Sequence, residues 1–301
     1  MKRRELLAGF CAGSVFTASN AYLWRMAEET APEQFGDDAL SLLIDDPLPM
    51  DEHFQDSEAP IRKSNPQLDK VRFFEHEFDD DVFLAEHEHA VFHSVILRLE
   101  RIQKVVGHGN FNVLGFDDAL KYASGYSSVG AFSSDELAFI EKLFFTNSHD
   151  YGFFGDKVST ELTDSITKQD VTKVPYSGHY LFKGESVNYY EKLKNDIGHS
   201  IILTSGIRSN VKQLHLFLGK ARSANYNLSK ASRSLAPPGH SYHGIGDFDV
   251  GRVGWGGKNF TGKFAETDEF KRMQDLGYVQ IRYTEDNRLG VRFEPWHIKV
   301  V

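Results

Sequence analysis

Cysteine is nearly absent from this chain: among 301 residues, Cys11 is the one cysteine. A single cysteine excludes a disulfide framework, and it excludes structural zinc sites that need several thiolates. The sequence also has neither a Gly-x-Gly-x-x-Gly dinucleotide motif nor a Walker phosphate loop. Any chemistry must therefore come from other side chains, such as histidine, carboxylate and arginine groups.

Positive charge is also scarce. The 34 Lys and Arg residues are outnumbered by 43 Asp and Glu residues, which gives a formal net charge of -9. Because proteins that bind nucleic acids normally present a basic face, we expect no nucleic-acid partner. The composition, 41% hydrophobic and 26% charged, is that of an ordinary globular protein, and the length allows one large or two modest domains.

Long apolar runs are missing except near the N-terminus, where the pattern is that of a targeting segment. Lys2-Arg3-Arg4 precedes the apolar residues 6–16, and Ser19-Asn20-Ala21 offers small residues for cleavage. The arginine pair followed by leucines resembles a twin-arginine export signal. We predict that residues 1–25 direct export to the periplasm. The alternative is an uncleaved helix that anchors the protein to the inner membrane.

Two regions separate this segment from the last third of the chain. Residues 26–68 are rich in Asp, Glu and Pro without an apolar period, which predicts an acidic linker. Residues 69–160 form a predicted helical region that could shield a site, dock to an envelope protein or brace a sheet, and the sequence leaves these roles open. The helices expected there cover 71–106, 116–122 and 134–145, the last capped by Ser133 or Ser134.

The last third, residues 170–301, alternates strand and helix patterns. This order predicts an α+β fold, with a small antiparallel sheet and flanking helices, preceded by the mainly helical region. The expected strands cover 200–204, 247–250, 278–283 and 291–301, and the expected helices cover 211–221 and 266–276.

Two separated motifs in this part carry candidate catalytic groups. The first runs from Ser241 to Asp249 and contains His243, and the second is Glu294-Pro295-Trp296-His297. Two imidazoles and a carboxylate can hold a catalytic zinc ion that keeps its fourth position for water, and a carboxylate that is not a ligand can act as general base. The sequence therefore indicates metal-assisted hydrolysis, provided that folding brings the two motifs together.

The same motifs carry a family resemblance. Ser-x-His followed by Gly and Asp, with a later Glu-x-Trp-His, resembles the VanY-type zinc D-alanyl-D-alanine carboxypeptidases. The segment Thr204–Ser209 is similar to that family's Ser-Gly-Tyr-Arg-Ser block, with Ile207 where an aromatic residue is usual. The resemblance covers about residues 170–301. It implies a small α+β peptidase domain whose substrates are the stem peptides of peptidoglycan.

The resemblance also implies a role for each residue. Zinc would be held by His243, Asp249 and His297, and Glu294 would be the general base that activates water for attack on the terminal peptide bond. Arg208 would hold the carboxylate or the scissile carbonyl of the substrate, since a guanidinium can bind carboxylate oxygens in a bidentate way. Two neighbours, Ser209 and Gln213, are predicted to assist substrate binding. The alternatives are a peptidoglycan endopeptidase and an inactive zinc-containing wall-binding module.

The spacing of the first motif departs from the family pattern by one residue. The family has His-x-x-Gly-x-Ala-x-Asp, whereas here Gly246 is followed by Asp247-Phe248-Asp249. We favour Asp249 as the ligand because Asp249-Val250-Gly251 matches the family's usual continuation, and Asp247 is the alternative. In a strand the two carboxylates share one face, and an apolar core does not accept them unpaired. His240 is a second candidate imidazole beside His243.

The second motif has a geometric requirement. Residues i and i+3 of a regular strand face opposite sides, so Glu294 and His297 could not both address one ion. Proline removes a donor from the ladder of a sheet and interrupts regular pairing. We therefore predict a bend or turn at Pro295.

Overall fold

The protein is described here by a computed structural model that covers residues 65–301. The predicted export or anchor segment 1–25 lies outside the described residues, as does the predicted linker 26–68 except for its last four residues. Within 65–301, no helix has both the length and the apolar character that a membrane span requires.

The described chain begins with helices and continues with mixed structure, and the α+β fold with small antiparallel sheets is confirmed. The helices are α1 Pro66–Arg72, α2 His89–Val106, α3 His108–Phe111, α4 Phe116–Gly125, α5 Ser134–Phe145, α6 Glu185–Ile197, α7 Asn210–Ser223, α8 Leu228–Ser232 and α9 Asp268–Leu276. The strands are β1 Val171–Lys173, β2 Tyr180–Phe182, β3 Ile201–Ser205, β4 Phe248–Arg252 and β5 His297–Ile298.

Helix α5 begins where its sequence predicts. The Ser133 hydroxyl accepts a hydrogen bond from the Glu136 backbone N–H, and the Glu136 carboxylate accepts one from the Ser133 backbone N–H, which is a capping box. The same carboxylate binds Arg98 of α2, with Nε 3.0 Å from Oε2, and accepts a 2.6 Å hydrogen bond from Ser94. One buried glutamate therefore both starts α5 and fixes it to α2.

The helix predicted over 71–106 is interrupted between α1 and α2. In the gap, the Asp81 carboxylate accepts a hydrogen bond from the backbone N–H of Phe78 and forms a buried ion pair with Arg233, whose Nη1 lies 2.7 Å from Oδ1. Phe83 forms an isolated antiparallel bridge with Asn227. These polar contacts with a distant part of the chain replace the continuous helix that the apolar spacing predicted.

The helical region shares a hydrophobic core with the C-terminal part. Helices α2, α4 and α5 pack with α7 and α8 in one cluster of buried side chains. Its members include Phe92, Ile96, Leu99 and Ile140 from the first group and Leu214, Phe217 and Leu218 from α7. The helices at 89–145 therefore support α7, whose N-terminus follows Arg208 and Ser209.

The three-stranded sheet brings the two motifs together. Its order is β3-β4-β5, and all pairs are antiparallel. In the register, Asp249 of the central strand pairs with His297 on one side and with Ser205 on the other, after an irregularity between Leu203 and Ser205. A separate antiparallel pair is formed by β1 and β2.

The strands predicted over 278–283 and 291–301 are wrong in extent. Only His297–Ile298 forms a strand, and Ile281 makes an isolated bridge to Ile298. The chain turns at Pro295 and Trp296, so the residues before the turn do not continue the ladder. Instead, the backbone N–H of Glu294 donates to the Tyr283 carbonyl and that of Arg292 donates to the Arg233 carbonyl.

The shared core can be tested with two leucines of α2. Leu99 is fully buried, whereas Leu97 is 49% exposed. We expect Leu99→Ala to lower the free energy of unfolding by about 2–5 kcal/mol, because it leaves a cavity in packed surroundings. The control, Leu97→Ala, should change it by less than about 0.5 kcal/mol. Urea denaturation measures both, and equal effects would contradict this packing.

Candidate metal centre

His243 lies in a short 3-10 turn, Tyr242–Gly244, and its side chain is buried. Its Nδ1 lies 2.7 Å from the Gly206 carbonyl oxygen, so Nδ1 carries the proton and donates it to that oxygen. The other nitrogen, Nε2, is buried and has no hydrogen-bond partner within residues 65–301. Burial, aided by the Arg208 guanidinium, lowers the pKa of His243 to about 4, which keeps the ring in its neutral, metal-binding form.

Asp249 lies on β4 and presents its two oxygens to different partners. Oδ2 accepts a 2.6 Å hydrogen bond from Nη2 of Arg208. Oδ1 lies 3.3 Å from His243 Nε2 and 3.2 Å from His297 Nδ1, and it has no hydrogen-bond partner in the described chain. Burial opposes ionisation, but His243 and Arg208 outweigh it and hold the pKa of Asp249 well below its usual value. The carboxylate is therefore ionised.

His297 lies on β5, opposite Asp249 in the sheet. Its ring meets that of His243 edge to face, with centroids 4.8 Å apart. Nε2 lies 3.0 Å from Asp247 Oδ2, which leaves Nδ1 directed at Asp249. Burial by itself lowers the pKa of His297, but the adjacent carboxylates of Asp247 and Asp249 outweigh burial and raise that pKa to about 9. A metal ion that binds here would therefore displace a proton from Nδ1.

Together these side chains form a cluster that suits a cation. One ligand atom from each of His243, Asp249 and His297 lies within 4.8 Å of the others. Two of these atoms, Nε2 of His243 and Oδ1 of Asp249, are buried polar atoms without a hydrogen-bond partner among residues 65–301, which is costly unless a cation takes that place. Two imidazole nitrogens and one carboxylate oxygen are a donor set typical of a catalytic zinc with an open position.

Glu294 lies beside the cluster because the chain turns between it and His297. The His297 backbone N–H donates to the Glu294 carbonyl at 3.1 Å, and the predicted turn at Pro295 is present. Oε2 of Glu294 lies 3.8 Å from His297 Nδ1. Burial raises the pKa of Glu294 to about 7, although Arg292 and His297 oppose the rise. A carboxyl group poised near neutral pH suits proton transfer.

Of the predicted substrate-binding residues, Arg208 contacts this cluster directly. Arg208 Nε donates to Ser205 Oγ and its Nη2 donates to Asp249, so part of its guanidinium positions a candidate ligand. Ser209 caps α7 by accepting from the Lys212 backbone N–H. Gln213 donates to the Ala236 carbonyl, and its Oε1 is buried without a hydrogen-bond partner within 65–301.

A cavity opens beside these residues. It is lined by Arg208, Ser209 and Gln213, by Ser241 of the first motif, and by a wall from residues 158–166 that includes Asp164. This wall is fastened by two backbone N–H groups that donate to the Gly239 carbonyl and by the Asn210 amide, which donates to Ser159 Oγ at 2.7 Å. Neither motif predicts this wall, because its residues lie outside both of them.

The two alternative ligands occupy other places. His240 Nδ1 lies 3.1 Å from the Asp156 carbonyl oxygen, and its ring packs edge to face on Phe153, outside the cluster of ligand atoms. Asp247 binds Arg282 and His297 Nε2 rather than the space between the imidazoles. Sequence reasoning missed Arg282 because nothing near it in the sequence marks it.

Three buried donors beside a carboxyl group with a pKa near neutral form a candidate site for one metal ion, of the kind found in hydrolases. Residues 185–301 match the model of the VanY family, described as D-alanyl-D-alanine carboxypeptidase. The C-terminal part of this chain is therefore similar to the VanY family over these residues.

Solved structures similar to this chain include an LdcB LD-carboxypeptidase, at 24% identity and a TM-score of 0.37 over 43% of this chain and 63% of that chain. VanYB in complex with D-alanine-D-alanine is 22% identical to this chain, with a TM-score of 0.34. The match covers 44% of this chain and 76% of the VanYB chain. A VanY D,D-pentapeptidase mutant in complex with Zn(II) has the same identity and TM-score. That match covers 44% of this chain and 78% of the mutant's chain. This chain thus spans less than two thirds of the LdcB chain. No curated protein sequence matches it significantly.

The choice between the two candidate imidazoles can be tested by zinc affinity. We expect His243→Ala to weaken zinc binding by more than the roughly 10–100-fold that loss of an outer partner costs, because it removes a direct ligand. His240→Ala should keep the wild-type affinity. Competition with a chromophoric chelator measures both, and the wild type at a hundredfold excess of zinc over Kd should gain about 2.7 kcal/mol of stability. Zinc binding that survives His243→Ala would contradict this assignment.

Proposed function

We propose that this protein is a zinc metallopeptidase that hydrolyses the terminal peptide bond of peptidoglycan stem peptides, as a D-Ala-D-Ala or related carboxypeptidase. The observation that carries the proposal is the buried cluster of His243, Asp249 and His297 beside Glu294, within a stretch that matches the VanY family model. The D-Ala-D-Ala and Zn(II) complexes named for similar structures agree with this substrate and this metal.

His243 through Nε2, Asp249 through Oδ1 and His297 through Nδ1 would hold the ion. Bound zinc supplies Lewis acidity, which polarises a carbonyl and lowers the pKa of a water to about 7. Glu294 accepts a proton from the attacking water and later returns it to the leaving amine. Burial raises the pKa of this carboxyl group to about 7, which suits it to hold the proton and then give it to the amine as the C–N bond breaks.

Substrate binding falls to the residues around the cavity. With Nε and Nη2 of Arg208 engaged by Ser205 and Asp249, its Nη1 is the group left to bind a carboxylate or carbonyl oxygen. The unpartnered Oε1 of Gln213 can accept from a peptide N–H, and the Ser209 hydroxyl retains a proton to donate. The wall at 158–166 bounds the cavity beside Arg208.

The place of action and the protein partners stay predictions from the sequence. The N-terminal pattern over 1–25 supports export to the periplasm, where peptidoglycan is accessible, with or without attachment to the inner membrane. The helices over 89–145 contribute a core to the peptidase domain, and docking of an envelope protein to them is a separate hypothesis.

The role of Glu294 is tested by Glu294→Gln, which keeps the shape of the side chain but removes its basicity. We expect kcat for D-alanine release from a defined muropeptide to fall about 10²–10⁴-fold, with zinc affinity retained. The matched control is Glu269→Gln. Glu269 lies on α9 and is also buried, but its partner is Arg252 of β4 and not a residue of the ligand cluster. Mass spectrometry measures the product, and full activity of Glu294→Gln would refute the assignment.

Carboxypeptidase and endopeptidase activity are separated by the C-terminus of the substrate. If Arg208 binds the terminal carboxylate, amidation of that carboxylate should lower kcat/KM about 10–100-fold, because a hydrogen bond to a charged group contributes about 1.5–3 kcal/mol. An endopeptidase would cleave both stems equally and release a longer fragment. An inactive wall-binding module would bind the stem and release nothing.

A further inference from the structure

Asp247 is a buried carboxylate in contact with the ligand cluster that the proposed reaction does not use. Its side chain is fully buried, and both of its oxygens are engaged. Oδ2 accepts from His297 Nε2 at 3.0 Å, and Oδ1 accepts from the Val300 backbone N–H at 2.9 Å. Arg282 binds both oxygens, through Nε to Oδ2 and through Nη2 to Oδ1. This carboxylate is therefore held in one orientation, with Oδ2 bound to Nε2 of His297 and not to Nδ1.

Arg282 also contacts the segment that contains His243. Its guanidinium carbon lies 3.8 Å from the centroid of the Tyr242 ring, in a stacked cation–π contact, and Tyr242 directly precedes His243. Tyr242 is itself fixed, since its hydroxyl donates to the Asp156 carboxylate and accepts from the Asp156 backbone N–H. The Arg282 guanidinium thus contacts Asp247, which binds His297, and Tyr242, which precedes His243 in the chain.

We propose that Asp247 and Arg282 form a positioning pair that determines which nitrogen of His297 faces the metal ion. A neutral imidazole has one N–H, and an ionised carboxylate can only accept, so the proton lies on Nε2 and the lone pair of Nδ1 is left for the cation. The inference rests on the proposed function, because it assumes that His297 is a zinc ligand.

The chain contains a matched pair with no such role. Asp81 and Arg233 are also buried and bidentate, with Nη1–Oδ1 and Nη2–Oδ2 distances of 2.7 and 2.9 Å. Arg233 makes its other side-chain hydrogen bonds with the carbonyl oxygens of Phe74 and His76, neither of which belongs to the metal cluster. A change to this pair removes the same kind of interaction without touching a candidate ligand.

The test compares Asp247→Asn with Asp81→Asn in the full chain. We expect Asp247→Asn to weaken zinc binding about 10–100-fold, measured by chelator competition at a temperature where circular dichroism shows both variants folded. Asp81→Asn should lower thermal stability and leave zinc affinity unchanged. Long-range ¹H–¹⁵N NMR of the zinc-loaded proteins gives a second readout, in which the Nε2–H form of His297 should be complete in the wild type and in Asp81→Asn, but mixed in Asp247→Asn.

Three results would overturn the proposal: wild-type zinc affinity in Asp247→Asn, an unchanged tautomer in Asp247→Asn, or an equal loss of zinc affinity in Asp81→Asn. If Asp247→Asn does not fold, Arg282→Lys replaces it, with Arg233→Lys as its match. Lysine keeps the positive charge but cannot bind both carboxylate oxygens in the bidentate way of a guanidinium, so zinc affinity should fall only in Arg282→Lys. A wild-type protein that binds zinc but releases no D-alanine would refute the proposed activity, and the zinc affinities would still test the pair.

Discussion

The site depends on the register of the central strand β4. Because Asp249 pairs with His297 on β5 and with Ser205 on β3, two segments almost fifty residues apart are placed side by side. The antiparallel pair brings the carboxylate within 3.2 Å of the His297 ring. A shift of one residue would turn Asp249 to the other face of the sheet, since side chains alternate along a strand. The irregularity between Leu203 and Ser205 adjusts β3 to this register.

Buried charge is the main energetic cost of this arrangement, and two arginines offset it. Arg208 binds Asp249 and Arg282 binds Asp247, so each buried carboxylate has a charged donor. Such pairs are weak contributors to net stability, because desolvation cancels much of the attraction, but removal of one partner leaves an isolated buried charge. The pairs therefore fix geometry more than they add stability. Nε2 of His243 and Oδ1 of Asp249 have no hydrogen-bond partner among residues 65–301. The space between them is therefore the candidate position for a cation.

The helical region is joined to this domain by packing as well as by sequence. Its helices α2, α4 and α5 share a core with α7, and the segment that follows them lines the cavity beside Arg208. These contacts support α7, whereas the buried side chains of the sheet belong to a separate cluster, so bracing of the sheet stays a prediction. The wall at 158–166 adds a second effect, since it shapes the space next to the predicted substrate-binding residues.

The sequence by itself determined what local chemistry can specify. The capping box starts α5 at Ser134, Pro295 turns the chain before His297, and the two motifs contain the candidate ligands and base. Only the tertiary structure distinguishes Asp249 from Asp247 and shows that His240 lies outside the ligand cluster. It also shows that the strands expected over 278–301 are shorter, and that Arg282 binds Asp247. Each of these depends on partners distant in the sequence, which periodicity and spacing do not encode, because a carboxylate's role is set by the groups that surround it after folding.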